Sequence, residues 1–276
     1  MKKKYINIIT YIVLSIWALI TIYPFIWIVI NSFKPSADIL RNSFNLPFKN
    51  FTFSNYITAA TGEYNIIRAY GNSLFISIIV VILVLLIAGL ASFALARYNF
   101  KGKKIVYGFI IACMMFPIFS IIYPLHEILI KLGINGTRFG VVLPQVAGNV
   151  GFAVVILTGF MQQLPIEVEE SAYIDGANVF QVLYHLVFPM AKPAFATTSI
   201  FVFLWSYNDL FLQMVVISDK DKMPISAILK EISSKYGTDF GLMAASVTLV
   251  IIPVLLVYIL LQKHIIKGLT AGAIKG

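Results

Sequence analysis

Gly71–Ala96 reads GNSLFISIIVVILVLLIAGLASFALA, a run without a single charged residue. A hydrocarbon layer ~30 Å thick takes about 20 apolar residues at ~1.5 Å of helix rise each, so this run is long enough to cross a bilayer. Arg97 closes it. Five further runs of comparable character lie on either side, at Tyr11–Asn31, Ile105–Ile130, Phe139–Gln162, Phe195–Ile217 and Gly241–Gln262. The expected fold is therefore all-α, a polytopic membrane protein with six transmembrane helices. The whole chain agrees. Of its 276 residues, 59% are hydrophobic and 12% charged, and the mean hydropathy of +0.89 lies outside the range of soluble domains.

The basic start Lys2-Lys3-Lys4 precedes a run longer than a signal-peptide core, and no small-x-small cleavage site follows closely, so the first run reads as a retained helix. The net charge of +9 does not suggest nucleic acid, because the cations sit at the ends of apolar runs and not in a basic and aromatic patch. Their density is highest in Met1–Lys4 and Arg97–Lys104, which places those segments and both termini in the cytoplasm. The expected organisation is a cytoplasmic amino terminus (1–10), one membrane domain (11–262) and a cytoplasmic tail (263–276). The loops near Lys34–Tyr70, Lys131–Arg138 and Ser218–Phe240 face outward, the first irregular with one short helix. Pro24, Pro117, Pro124, Pro144 and Pro253 fall within the apolar runs and mark expected kinks. The single Cys113 excludes an internal disulfide, and His126, His185 and His264 are too dispersed for a metal site.

The long cytoplasmic segment 164–194 carries the most information. Pro165 is placed to open a helix, with Glu167, Glu169 and Glu170 in its first turns, where carboxylates favour the positive end of the dipole. Asp175-Gly176 supplies a break, since glycine tolerates a left-handed backbone. Beyond it Val179, Phe180, Leu183 and Val187 form an apolar stripe at helical spacing, Asn178, Gln181 and His185 fall away from it, and Pro189 and Pro193 end the helix. A helix, sharp turn and helix at the membrane face can serve as a projection gripped by another protein. Periodicity alone equally allows an amphipathic interfacial loop with no partner.

The residues of this segment resemble the cytoplasmic signature of binding-protein-dependent permeases of ABC importers: Glu-Ala-Ala, three residues, Gly, nine residues, Ile, one residue, Leu-Pro. Glu170, Ala172, Gly176 and Pro189 match in register, with Ser171, Leu186 and Phe188 replacing the remaining positions. The resemblance spans nearly the whole chain and is closest to the maltose-type MalG branch of carbohydrate permeases. Ala94-Leu95-Ala96-Arg97-Tyr98, Leu132–Thr137 with Gly140 and Pro144, Trp205-Ser206-Tyr207-Asn208-Asp209, and the ending Gly268–Gly276 all carry it.

The resemblance implies a sugar importer's permease, with an oligosaccharide favoured over a monosaccharide. It implies a companion permease of six or more helices, two ATP-binding cassette ATPases and an extracellular solute-binding protein. Glu169, Glu170, Ser171, Ala172, Asp175, Gly176, Ala177 and Pro189 would couple to the ATPases. Gly268, Leu269, Thr270, Gly272 and Lys275 would reach the ATPase interface. The chain has no phosphate loop, and Gly102-Lys103-Lys104 lacks both the spacing and the hydroxyl, so ATP and Mg²⁺ are expected on the partners and no cofactor on this chain. It would be a transport subunit and not an enzyme, in the bacterial cytoplasmic membrane.

Asp209 lies within an apolar run, which makes it a functional candidate by default. Structure or gating is favoured over substrate contact. Trp205, Tyr207 and Asn208, with Phe201, Phe203 and Phe211, are either pathway aromatics and polar groups or simple bundle packing. Two other functional classes are alternatives. A stand-alone secondary transporter of a small solute needs intramembrane ion partners, which are scarce apart from Asp209 and Glu127. A membrane enzyme needs a catalytic constellation at one depth, and none is visible.

Overall fold

Apolar side chains can be buried in lipid, but backbone polar groups cannot, so a chain of this composition pairs them within helices. The computed structural model describes the backbone of residues 2–235, 237 and 239–273. Its side chains are described between residues 8 and 259, apart from 234, 236, 238, 253, 257 and 258. Among the described residues every regular element is helical. In chain order these are α1 (Lys2–Ser32), α2 (Ser36–Arg41), α3 (Ser54–Thr61), α4 (Ile66–Arg97), α5 (Lys103–Cys113), α6 (Ile118–Lys131) and α7 (Arg138–Met161). Then come α8 (Glu167–Ile174), α9 (Val179–Val182), a π turn (Leu183–Val187), α10 (Phe188–Met190), α11 (Lys192–Asn208), α12 (Phe211–Val216), α13 (Ile225–Lys235) and α14 (Phe240–Ala273). The loop after α1 contains two short helices, α2 and α3, where one was expected.

Within the described residues, Ile8–Ser32 of α1, α4 and α7 are long and apolar enough to cross a membrane as single helices. Two of the expected runs are broken. Ile105–Ile130 divides into α5 and α6, which meet at 97°. The cause is Pro117, which takes an extended backbone (ψ 133°) and caps α6. The run Phe195–Ile217 ends its helix at Asn208, because Asp209 is also extended (ψ 110°). The segment Val179–Met190 joins α11 at 74°. Counting each bent pair once makes five candidate spans. Pro24 and Pro144, by contrast, lie inside the unbroken helices α1 and α7.

Chain contacts divide the molecule into two compact units, residues 1–68 with 228–257, and residues 69–227 with 258–276. The second unit is organised around α4. Ile76, Val80, Val84 and Ala88 recur every fourth residue and are all fully buried, continued by Ser92. α7 contributes Val141, Val142, Ala153, Val154, Leu157 and Met161, and packs on α11. At the first end of α4, Asn72 donates to the carbonyls of Asp221 and Met223, both at 3.0 Å, and accepts from Arg138 Nε at 3.0 Å. Ser73 Oγ accepts from the Ile225 amide at 2.8 Å. These bonds pin the start of α4 to the 219–225 segment; the other end of the helix carries the elbow described below.

The first unit is held by polar contacts around the start of α14. Asp239 caps that helix through the Leu242 amide at 3.0 Å and accepts from Ser36 Oγ at 2.6 Å, while the Gly241 amide donates to the same Ser36 Oγ at 3.0 Å. Asn55 donates to the carbonyls of Ser32 and Lys34, both at 2.9 Å. Phe33, Phe51, Phe53 and Tyr56 pack ring against ring beside it. A Cβ on Gly241 would lie 2.6 Å from the Lys34 carbonyl oxygen and 2.7 Å from Asn55 Nδ2, so the glycine permits a close approach. Alanine normally favours a helix over glycine by about 1 kcal/mol. Gly241→Ala is nevertheless expected to destabilise by about 1–3 kcal/mol through overpacking. Gly108→Ala on α5, where a Cβ meets nothing within 4 Å, should be neutral or stabilising. Thermal unfolding of both variants in detergent checks this, and a Gly241→Ala protein as stable as the parent would refute it.

Candidate coupling elbow and membrane polar cluster

The elbow begins where α7 ends at Met161. Its first helix, α8, ends in a Schellman arrangement. The Ala177 amide donates to the Ala172 carbonyl at 2.9 Å and the Gly176 amide to the Tyr173 carbonyl at 3.1 Å. This closure requires φ of +85° at Gly176, and a Cβ there would meet nothing within 4 Å. The glycine is thus needed for conformation and not for space. The next helix starts with a reciprocal capping box: Asn178 Oδ1 accepts from the Gln181 amide at 3.0 Å, and Gln181 Oε1 accepts from the Asn178 amide at 2.8 Å. An Asn-x-x-Gln spacing was present in the sequence as a signal for it.

Beyond Val182 the backbone widens into a π turn over Leu183–Val187, and the Phe188 amide donates to the Leu183 carbonyl. Pro189 follows directly and has no amide to donate, so the helix continues through it to Met190 instead of stopping there. The wider turn also rotates the buried face. Val182, Leu183 and Val187 are buried against Phe93, Met161 and Ala191, whereas Val179 and Phe180 of the expected stripe are exposed. Ala172 and Ala177 are partly buried against the same cluster.

Glu169 is buried. Its side chain points into the helix bundle and pairs with Arg97 at the end of α4, with Nε at 2.7 Å and Nη2 at 2.6 Å from Oε1. The two side chains are 5% and 9% exposed. Arg97 Nη2 also donates to the Leu164 carbonyl at 3.3 Å, so one guanidinium binds both the entry segment of the elbow and its first helix. No pattern in the sequence signals this pair, whose members lie 72 residues apart. Glu170, Ser171, Asp175 and Pro189 are exposed, and Ser171 Oγ donates back to the Glu167 carbonyl at 2.8 Å. On the opposite face of the elbow Ile174 (87% exposed), Phe180 (77%) and Tyr184 (70%) project outward. Asp175, Gly176, Gln181 and His185 rim an open cleft of ≈ 380 Å³.

Trp205, Tyr207, Asn208 and Asp209 are divided among different tasks. Asp209 accepts from Gln145 Nε2 of α7 at 2.8 Å and from the Leu212 amide at 3.2 Å, so it caps α12 at the helix break. Gln145 Oε1 accepts from Ser206 Oγ at 2.6 Å, and Gln213 donates to the Ser206 carbonyl at 3.0 Å. Gln145, Ser206 and Gln213 are buried. Tyr207 is buried and stacked on Phe203, and Asn208 donates to the Leu204 carbonyl at 2.8 Å. Trp205 is half exposed and lies edge-on to Phe152 of α7 at 4.7 Å. Gln145 and Phe152 carried no sequence signal that distinguished them. Among the described residues no group of His, Cys, Asp and Glu is placed to hold a metal ion. α14 runs through Gly268, Leu269, Thr270 and Gly272 as helix, but their side chains, and Lys275 altogether, lie outside the described residues.

Removing one member of the Arg97–Glu169 pair strands a buried charge. Arg97→Met and Glu169→Gln are each expected to destabilise by about 3–5 kcal/mol, and the double variant to recover much of that loss. Melting temperatures of the single and double variants check this; additive losses would refute it.

A family model for binding-protein-dependent transport system inner membrane components matches residues 88–271. The diacetylchitobiose uptake system permease protein NgcG of Streptomyces coelicolor is 33% identical over 269 residues, covering 97% of this chain and 88% of that protein. The arabinooligosaccharides transport system permease protein AraQ of Halalkalibacterium halodurans is 29% identical and aligns over 100% of both. A crystal structure of a bacterial ABC transporter involved in the import of the acidic polysaccharide alginate includes a chain with the same fold, at TM-score 0.82 and 25% identity, covering 95% of this chain and 97% of that one. The match takes in the elbow, its Gly176 turn and the Asp209 break. The chain is membrane-embedded and belongs to the family of binding-protein-dependent transport system inner membrane components.

Proposed function

We propose that this chain is the permease subunit of an ABC importer for a sugar, favouring an oligosaccharide, delivered by an extracellular binding protein. Family membership supports the dependence on a binding protein. The relatives named for diacetylchitobiose and arabinooligosaccharides, and the alginate importer, support the substrate class. In this reading the membrane domain has six spans, with α14 as the last, and both termini lie in the bacterial cytoplasm. A companion permease completes the pathway, and two ATPase subunits bind ATP and Mg²⁺, none of which this chain binds itself.

The observation that carries the mechanism is the two-sided elbow. Its inner face is fastened by Val182, Leu183, Val187 and the Arg97–Glu169 pair, and its outer face presents Ile174, Phe180 and Tyr184. Large apolar side chains standing in solvent on a braced support suit a partner's groove, where burial contributes roughly 25 cal/mol per Å². Closing of the ATPase dimer would move the elbow, and the brace would pass that movement to α4. Glu170 and Asp175, both exposed, would orient the joint, while Glu169 would act through Arg97. Trp205 with Phe152 offers an apolar face for sugar C–H groups, and Asp209 holds the break between α11 and α12.

Gly176→Val should impose a left-handed strain of about 1–2 kcal/mol on the turn without touching a span. ATP-driven sugar uptake by the assembled transporter should fall at least about tenfold while membrane insertion persists. Phe180→Asp should give the same uptake defect with an unchanged melting temperature, together with loss of copurifying ATPase. Full uptake by both variants would overturn the mechanism.

A further inference from the structure

A second polar site lies beside the elbow and plays no part in the coupling described above. α4 ends at Arg97, α5 begins at Lys103 and α7 ends at Met161, and a cavity of ≈ 630 Å³ opens where these three ends meet. Its lining includes Asn99, Lys103, Lys104, Tyr107, Thr158 and Gln162, and no acidic residue among the described residues. Lys103 Nζ lies 3.0 Å from the Tyr98 carbonyl, and Lys104 is exposed.

Thr158 gives the cavity chemical direction. It is 3% exposed, and its Oγ1 has no hydrogen-bond partner among the described residues. A helical threonine ordinarily donates to the carbonyl four residues earlier. Here that carbonyl belongs to Val154, and it accepts from Ser92 Oγ of α4 at 3.2 Å. A buried hydroxyl left in this way is destabilising unless something in the cavity accepts its hydrogen. Two lysines and a donor hydroxyl, with an amide from Gln162, form a set suited to anionic oxygen.

The surroundings say which anion. Ile105 and Phe109 on α5 are 78% and 71% exposed, so the cation-lined cavity continues into an apolar helix surface at the level where membrane spans end. A soluble anion gains nothing from that surface, whereas a phosphodiester carrying acyl chains fills both parts. We propose that this cavity binds the headgroup of an anionic glycerophospholipid, with Lys103, Lys104 and Thr158 on the phosphate and the acyl chains along Ile105 and Phe109. Basic pockets between membrane helices are physically suited to such headgroups. The inference does not depend on the transported substrate or on the ATPase contact.

The test uses the full chain extracted from vesicles of equal phosphatidylglycerol and phosphatidylcholine, with retained lipid measured by native mass spectrometry. The parent protein should retain phosphatidylglycerol over phosphatidylcholine by on the order of tenfold. Lys103→Gln with Lys104→Gln should remove most of that preference, and Thr158→Val should lower it about threefold while the protein stays folded. Lys101→Gln, outside the cavity lining, should change it less than about twofold. The assignment is overturned if the parent shows no preference, if either cavity variant leaves the ratio unchanged, or if Lys101→Gln lowers it as far as the double variant. Displacement of the lipid by millimolar inorganic phosphate would also overturn it, by making the site one for a soluble anion.

Discussion

The buried pair of Arg97 and Glu169 is the constraint on which the rest of the elbow depends. A loop that leaves one apolar helix and returns to another is free to drift unless something ties its middle to the bundle. The guanidinium does so from the end of α4, binding the Glu169 carboxylate and the Leu164 carbonyl together. Burial of such a pair is weak evidence for stability by itself, because desolvation offsets much of the attraction. Its contribution is to position. With both ions nearly out of water, the elbow has one low-energy placement, since any rotation that breaks the pair leaves two unpaired charges.

The backbone around the elbow is specified as tightly as its side chains. Gly176 turns α8 back through a left-handed residue, the Asn178–Gln181 box restarts the helix, and the π turn carries it past Pro189. Each device removes an unpaired amide or carbonyl that an exposed segment would leave to water. Together they separate an inward face of Val182, Leu183 and Val187 from an outward face of Ile174, Phe180 and Tyr184. In the proposed importer, the first face fixes the lever and the second meets the motor.

The same economy governs the membrane cluster. An isolated carboxylate in an apolar span would be expensive. Asp209 instead sits at a helix break, where it accepts from Gln145 and from the Leu212 amide in the first turn of α12. The break and the carboxylate therefore satisfy each other. Gln145 and Ser206 extend the network across α7 and α11, which holds Trp205 and Phe152 side by side.

Composition and periodicity determined, without any structure, that the chain is helical and membrane-embedded, and the spacing of Glu170, Ala172, Gly176 and Pro189 located the elbow. These features are legible because hydropathy and the left-handed preference of glycine act locally. The tertiary structure alone decided that the runs at Ile105–Ile130 and Phe195–Ile217 break, that Phe180 faces outward, and that Glu169 is buried against Arg97. Those outcomes turn on partners distant in the chain, Arg97 for Glu169 and Gln145 for Asp209, and on a π turn that shifts the register of the buried face. A one-dimensional pattern carries no record of which distant side chain will compete for a hydrogen bond, and only packing settles that competition.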